Sequence, residues 1–344
     1  MTIRLVVVLC ALAMLTTVPG ACGSEDGGDG TASGNATAGT FHPPAIQTDV
    51  DDAVSKACDV ASPTIDRIKR EGVLFWAIGV SPPFGFEAER GVWTGVEAQN
   101  AAELATVLGV DFDISEYSYD VLPQALVTGQ ADIVGAELFV TDERRKLIDF
   151  STPYYQSAQL FYVLKSSPFR TIDDLNKPDV RFVYGTGTAQ LDLAKKYVPK
   201  ARISDTPLRD RLLLNDSLAA HRSDATMSQA AAMKVILEKL RNPPLAAIGL
   251  HGRVKGERAP SQDVLDPFDV AFGLPKGDAG WRGCVNAWVR DLLDSGRMAE
   301  RLDYWLAQPV TRPALSGISQ GPPDKAPARL AKFGVFHRTT GVVQ

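Results

Sequence analysis

Val73-Leu74-Phe75-Trp76-Ala77-Ile78 is an unbroken apolar run, the pattern of a strand covered on both faces. The sixty residues from this run onward decide the fold class. Gly95 precedes a helix whose apolar positions Ala98, Ala101, Leu104, Ala105 and Leu108 recur at three- and four-residue spacing, and Gly109 ends it where left-handed geometry is needed. Val110 to Ile114 is a second strand. Asp120 is expected to cap a short helix that tolerates Pro123 in its first turn and closes at Gly129, and Ala131 to Val134 is a third strand. Strand, helix, strand, helix, strand within about sixty residues means parallel βαβ units and an α/β sheet.

The same rhythm extends in both directions. Upstream, Thr48 to Arg70 reads as helical through Val54, Cys58, Val60, Ile65 and Ile68. Downstream, Leu160–Leu164 and Val180–Tyr184 read as strands, Thr188–Tyr197 as a helix, and Leu218–Ala220 as the opening of a short helical stretch. Ala225–Met227 and Asp269–Leu274 are strands; Ala230–Leu240, Trp281–Leu293 and Met298–Leu306 are helices. With 344 residues, 45% hydrophobic and 22% charged, the chain is long enough for two domains, each with its own core. A net charge of −5 without clustered Lys or Arg excludes a nucleic-acid partner.

The two ends differ from this middle. Residues 1–21 carry one charge, Arg4, followed by the apolar run Leu5 to Leu15 and small residues, which is an export signal too short to span a bilayer. Cys22 stands where an acylated lipoprotein cysteine is expected, and residues 22–47 read as a flexible tether, its stretch from Gly23 to Gly39 rich in Gly, Ser, Asp and Ala. Residues 307–344 form a Pro-rich basic tail (Arg312, Lys325, Arg329, Lys332, Arg338). Cys58 and Cys284 remain inside the body. In an oxidising compartment they form a disulfide or persist as two buried thiols.

Two helix starts carry the chemistry. Thr141 caps a helix with Asp142 and Glu143 in its first turn, which places the fork of Arg144 beside free backbone N–H groups. That is a prepared carboxylate site, unless Arg144 pairs on the surface with Asp142, Glu143 or Asp149. Gly185-Thr186-Gly187-Thr188-Ala189-Gln190 also follows a strand and opens a helix; Gln190 stands where a dinucleotide fingerprint has its third glycine. Thr188 with the N–H groups of Ala189 and Gln190 can still receive an anion, or the stretch is a plain loop. His42, His221, His251 and His337 lack ligand-like spacing, so neither metal nor cofactor is expected. Ser319 satisfies a nucleophile-elbow pattern but has no strand before it.

Over roughly residues 68–306 the chain resembles family 3 extracellular solute-binding proteins, the polar amino-acid receptors of ABC importers. The markers are Pro82-Pro83-Phe84, Gly95, Leu122-Pro123-Gln124-Ala125-Leu126, Gly129-Gln130-Ala131-Asp132-Ile133 and Thr141-Asp142-Glu143-Arg144. Asp149-Phe150-Ser151-Thr152-Pro153-Tyr154-Tyr155, Gly187-Thr188, Ser223-Asp224-Ala225, Val285-Asn286 and Ser295-Gly296 continue the series in order. The resemblance implies a type II periplasmic-binding-protein fold: two α/β lobes, each a mostly parallel sheet flanked by helices, joined by strands crossing near 156–161 and 267–271. Lobe 1 is then 48–158 with 270–306, and lobe 2 is 159–269.

It further implies a monomeric, non-enzymatic lipoprotein on the outer face of the cell membrane, handing a small carboxylate-bearing or amino-acid-like solute to ABC permease subunits. Arg144 matches the family's carboxylate-binding arginine and Thr188, with Ala189, its second-lobe partner; Phe84 belongs to the Pro-Phe pair beside the ligand. Phe139 stands where a small hydroxyl residue is usual, Gln229 where an aspartate receives the ligand ammonium, and Ser81 where an aromatic lid is usual. Glu137 is then the candidate counter-charge for an ammonium, since an unpaired buried ion costs several kcal/mol. Two other readings keep the fold: a sensor signalling to a membrane partner, and an exported dehydratase using Glu137 as an acid.

Overall fold

The structure is a computed structural model that describes residues 46, 51–89, 91–207, 212–229, 233, 245–254 and 264–307. The expected signal, Cys22, the tether apart from Ile46, the tail beyond Ala307, and the 230–240 helix apart from Met233 lie outside the described residues.

The first sheet has strand order β4-β1-β5-β14-β6, formed by β1 (Val73–Ile78), β4 (Asp111–Glu116), β5 (Ile133–Val134), β6 (Asp149–Phe150) and β14 (Gly273–Leu274). β1 pairs in parallel with β4 and β5, while β14 alone runs against its neighbours β5 and β6. The small hairpin β2 (Phe86–Glu89) and β3 (Val92–Thr94) leads into α3 (Val96–Leu108). Gly95 sits at φ 102°, and a Cβ there would lie 2.5 Å from the Phe84 carbonyl, so the turn requires glycine.

The upstream helix is two helices, α1 (Asp52–Ala57) and α2 (Pro63–Glu71). Pro63 cannot continue a helix from Ser62 but suits a first turn, and the Ser62 hydroxyl caps α2 by accepting from the Ile65 N–H at 3.1 Å. α4 (Leu122–Val127) is capped at Val121 without a side-chain bond, so Asp120 is not its cap. The expected strand 269–274 is divided between β14 and a preceding crossing strand.

The second sheet is built on β7 (Tyr155–Leu164), with β8 (Arg181–Gly185), β9 (Arg202–Thr206), β10 (Ala225–Gln229), β11 (Leu245–Gly249), β12 (Gly252–Arg253) and β13 (Leu265–Val270). β10, β8 and β9 are parallel; β7 runs against both β10 and β11. α5 (Asp142–Leu147), α6 (Ile172–Leu175), α7 (Gln190–Tyr197) and α8 (Leu212–Ala219) complete the middle of the chain. Leu218 and Ala219 end α8 rather than open it.

β7 leaves the first sheet region and β13 returns to it, paired antiparallel from Leu265↔Gln159 to Val270↔Tyr155. This double strand is the connection between two lobes. After it, α9 (Ala279–Asp294) and α10 (Arg297–Ala307) pack back on the first lobe. Trp76, Phe272, Trp281, Trp288 and Trp305 fill that core, and each indole of α9 and α10 is satisfied: Trp281 donates to the Asp132 carbonyl (2.9 Å), Trp288 to Glu103 (3.2 Å) and Trp305 to Gln99 (2.5 Å). Cys58 of the first-helix end is disulfide-bonded to Cys284 of α9, tying the two ends of the lobe together. The second lobe has its own core around Phe161, Phe182, Leu193 and Met227. No described helix is long and apolar enough to cross a membrane.

Candidate functional site

The site lies where the crossing strands meet the start of α5 and the start of α7. Thr141 begins α5 in extended geometry, its hydroxyl accepting from the Arg144 N–H at 3.3 Å. This cap holds Arg144 in the first turn and turns its guanidinium inward. The surface alternative fails: Arg144 is 8% exposed, Glu143 pairs with Lys146, and Asp149 pairs with Lys276 and Arg282. Instead Nη1 donates to the Phe139 carbonyl at 2.7 Å, and Nη2 reaches into the second lobe to the Gly187 carbonyl at 3.0 Å. Among the described residues it has no carboxylate partner. Burial pulls its pKa down to about 10, against the pull of Tyr119 and Asp192, so it remains a cation at neutral pH.

Gly187 is held at φ 76°, and a Cβ there would lie 2.4 Å from Asp120 N and Cα. The two lobes therefore touch backbone to backbone at this point. Thr188 donates its hydroxyl to the Gly185 carbonyl at 2.7 Å. Gln190 staples the loop: its amide nitrogen donates to the Met227 carbonyl (2.7 Å), while its oxygen accepts from the Gly185 N–H (3.2 Å). A side chain that binds backbone here, rather than a third glycine, explains why the loop is no dinucleotide fingerprint.

A cavity of about 20 Å³ lies between these groups, lined by Tyr119, Glu137, Phe139, Arg144, Gln159, Thr188, Ala189, Gln190 and Gln229. That is room for about one water molecule, so the lobes are closed on one another. Glu137 is 1% exposed and sits at φ 48°, a conformation uncommon outside glycine, in the wall of the cavity. Its carboxylate accepts from Ser81 (3.2 Å) and from Ser157 on β7 (3.1 Å), and its N–H donates to Glu97 at 3.1 Å. Behind it, Glu97 also accepts from Tyr154 and from Asn100, yet burial dominates and lifts the Glu97 carboxyl above its ordinary range. Phe139 stacks on Phe268 of β13 with ring centroids 4.9 Å apart.

Six of the seven residues expected at a ligand, Arg144, Thr188, Ala189, Glu137, Phe139 and Gln229, line this one space. Phe84 does not. The Ser81–Gly85 turn folds it wholly into the first lobe's core, where its ring meets Tyr155 at 5.8 Å. Ser81, which stands where an aromatic lid is usual, donates to Glu137. Sequence reasoning misses Tyr119 and Gln159. Gln159 has a sequence signal, being a polar residue just before the apolar run Leu160–Leu164; Tyr119, in the loop before α4, has none. Among the described residues no group of His, Cys, Asp and Glu is arranged to hold a metal.

Residues 76–308 match the model of the bacterial extracellular solute-binding proteins, family 3. The chain belongs to this family. Over 252 residues the solute-binding protein is 27% identical to the L-cystine-binding protein TcyJ of Escherichia coli, covering 72% of this chain and 88% of the relative. It is 26% identical over 245 residues to the cyclohexadienyl dehydratase of Pseudomonas aeruginosa, covering 70% and 85%. The solved structure of the ancestral amino acid-binding protein AncCDT-1, a precursor of cyclohexadienyl dehydratase, shares its fold with a TM-score of 0.61 at 27% identity, over 72% of this chain and all of the other. A mutant of ArgBP from T. maritima also gives 0.61 at 27% identity, over 71% and 100%.

Proposed function

We propose that this protein is the extracytoplasmic substrate-binding lipoprotein of an ABC importer, capturing a small zwitterionic, amino-acid-like solute between its lobes. One observation supports this most: a buried guanidinium, with no acid partner among the described residues, spans both lobes through two carbonyls. Leaving such a charge uncompensated costs several kcal/mol, and a ligand carboxylate removes that cost through a two-pronged bond of about 1.5–3 kcal/mol per contact. The Ala189 N–H completes the acid-binding half from the second lobe, joined by the Thr188 hydroxyl once it turns from the Gly185 carbonyl to the ligand. Glu137, facing the same cavity, supplies the opposite charge for an ammonium, a role that Gln229 cannot fill.

Because the closed space is so small, capture requires the lobes to part about β7 and β13. Residues 48–158 with 270–306 then move as one body and 159–269 as the other. Cys22 anchors the chain, as a monomer, to the outer face of the membrane; the closed form presents both lobes to the permease. The likeness to TcyJ and other amino-acid-binding proteins supports the solute class. Titrating the purified protein with amino acids, betaines and plain carboxylic acids tests the reading. Strong binding of a solute that lacks a carboxylate, or undiminished binding in Arg144→Lys, would overturn it.

A second reading has one observation in its favour. Glu137 is held in a strained backbone conformation inside the cavity, and a relative is a dehydratase. An enzyme would return a changed compound, so recovery of the bound solute unaltered after long incubation separates the two.

A further inference from the structure

Gln159 and Gln229 are cross-strand partners on β7 and β10, register-matched and both lining the cavity. Directly opposed side chains on one sheet face stand about 4.5–5.5 Å apart at Cβ, close enough to act on one ligand group. They are 0% and 4% exposed. Among the described residues, the amide nitrogen and the amide oxygen of Gln159 have no hydrogen-bond partner, and neither has the oxygen of Gln229. Native interiors rarely leave such atoms unpaired, because each buried unpaired group costs free energy that nothing else in the fold returns. A cluster of three, at the cavity wall and on rigid strands, is an arrangement that waits for a partner with complementary atoms.

The required partner is defined by the atoms. Two carbonyl oxygens call for donors, and one NH2 group calls for an acceptor. The charged groups lining this cavity are Arg144 and Glu137, so a third charge on the ligand would meet no counter-charge there. We propose that Gln159 and Gln229 form an amide pair that selects a net-neutral ligand whose side chain carries a donor and an acceptor together, a primary carboxamide being the simplest. This rests on the amino-acid reading above, in which Arg144 and Glu137 take the carboxylate and ammonium. It sets the protein apart from a receptor for a cationic amino acid, which would need an acid where the glutamines stand.

Isothermal titration calorimetry with asparagine against leucine, and glutamine against methionine, compares shapes that are alike but differ in these polar atoms. Arginine and glutamate serve as charged controls. We expect at least one amide to bind tenfold or more tightly than its apolar counterpart and than either control. Gln159→Met should shrink that preference to threefold or less. In the ligand-free protein the same variant should raise Tm by about 2–4 °C, because it removes two unpaired buried atoms; this shows the variant folded and the amide held for binding rather than stability. A preference that survives in Gln159→Met, an apolar counterpart within threefold of the amide, a charged control that binds most tightly, or a fall in Tm would each overturn the inference. If carboxylate-bearing solutes bind but amides have no advantage, this inference fails alone. If no carboxylate-bearing solute binds, the reading beneath it fails first.

Discussion

Gly187→Ala separates what closure requires from what the fold requires. The added Cβ would stand 2.4 Å from Asp120 N and Cα and 2.7 Å from Asp120 Cβ, where non-bonded carbons need about 3.5–4.0 Å. The added Cβ is fixed to the backbone and its two nearest neighbours are backbone atoms of Asp120, so the clash is relieved only if the α7 loop and the 117–121 loop move apart by about 1 Å or more. The Arg144–Gly187 bond, 3.0 Å in the closed form, is then stretched beyond hydrogen-bonding reach. A charge-assisted bond of this kind is worth about 1.5–3 kcal/mol, so solute affinity should fall about 10- to 150-fold. A separate, local cost comes from an alanine at φ 76°, about 1–2 kcal/mol whether or not the lobes are closed. It should lower Tm of the ligand-free protein by about 2–8 °C. Calorimetric titration and thermal denaturation read the two effects independently. An affinity within threefold of the wild type, in a variant whose Tm has dropped, would refute lobe closure at this contact.

Other expectations concern the scaffold. The disulfide closes a loop of 226 residues between Cys58 and Cys284, so Cys58→Ser with Cys284→Ser should lose about 2–5 kcal/mol in denaturant unfolding; an unchanged midpoint would contradict this. Arg301, 1% exposed, pairs with Glu103 and donates to Asn100 at 2.8 Å; because Arg297 still pairs with Glu103 at 3.0 Å, Arg301→Met should cost about 1–3 kcal/mol by the same assay. Stability should also respond to pH from both sides. Burial alone would raise the Asp278 carboxyl, but donors from Trp281, Thr64 and Ser62 hold it below 3.8; its contribution is therefore present above that value and lost as pH falls through its folded pKa. Glu97 has the opposite sign: raised above 4.5 by burial, its contribution is full below 4.5 and lost as pH rises through the folded value. Unfolding curves from about pH 2.5 to 9 should show Asp278→Asn removing part of the acid loss and Glu97→Gln part of the loss at higher pH.

How legible this was in the sequence depended on whether the deciding forces were local. Thr141 as a cap, Arg144 behind it and the βαβ rhythm follow from short-range rules, and each stands in the structure. The single helix expected over 48–70 broke because Pro63 with Ser62 makes a stronger start signal than the continuing apolar spacing. The 269–274 strand was split because its two halves pair with different sheets, and pairing over 110 residues or more leaves no local mark. The same limit hid part of the site. Resemblance placed Arg144, Thr188 and Glu137 near one another, but sent Phe84 to the ligand when its turn packs it into the core. Gln159 escaped because its meaning comes from facing Gln229 across β7 and β10, a register set by long-range pairing.

The most direct test is to purify the protein and Arg144→Met side by side from the same cells, denature both, and identify the released small molecules by mass spectrometry. A solute gripped by Arg144 and Glu137 should appear as a compound with both a carboxylate and an ammonium, close to one per protein in the wild type and absent from the variant. A released compound without a carboxylate, or equal retention by Arg144→Met, would contradict that grip.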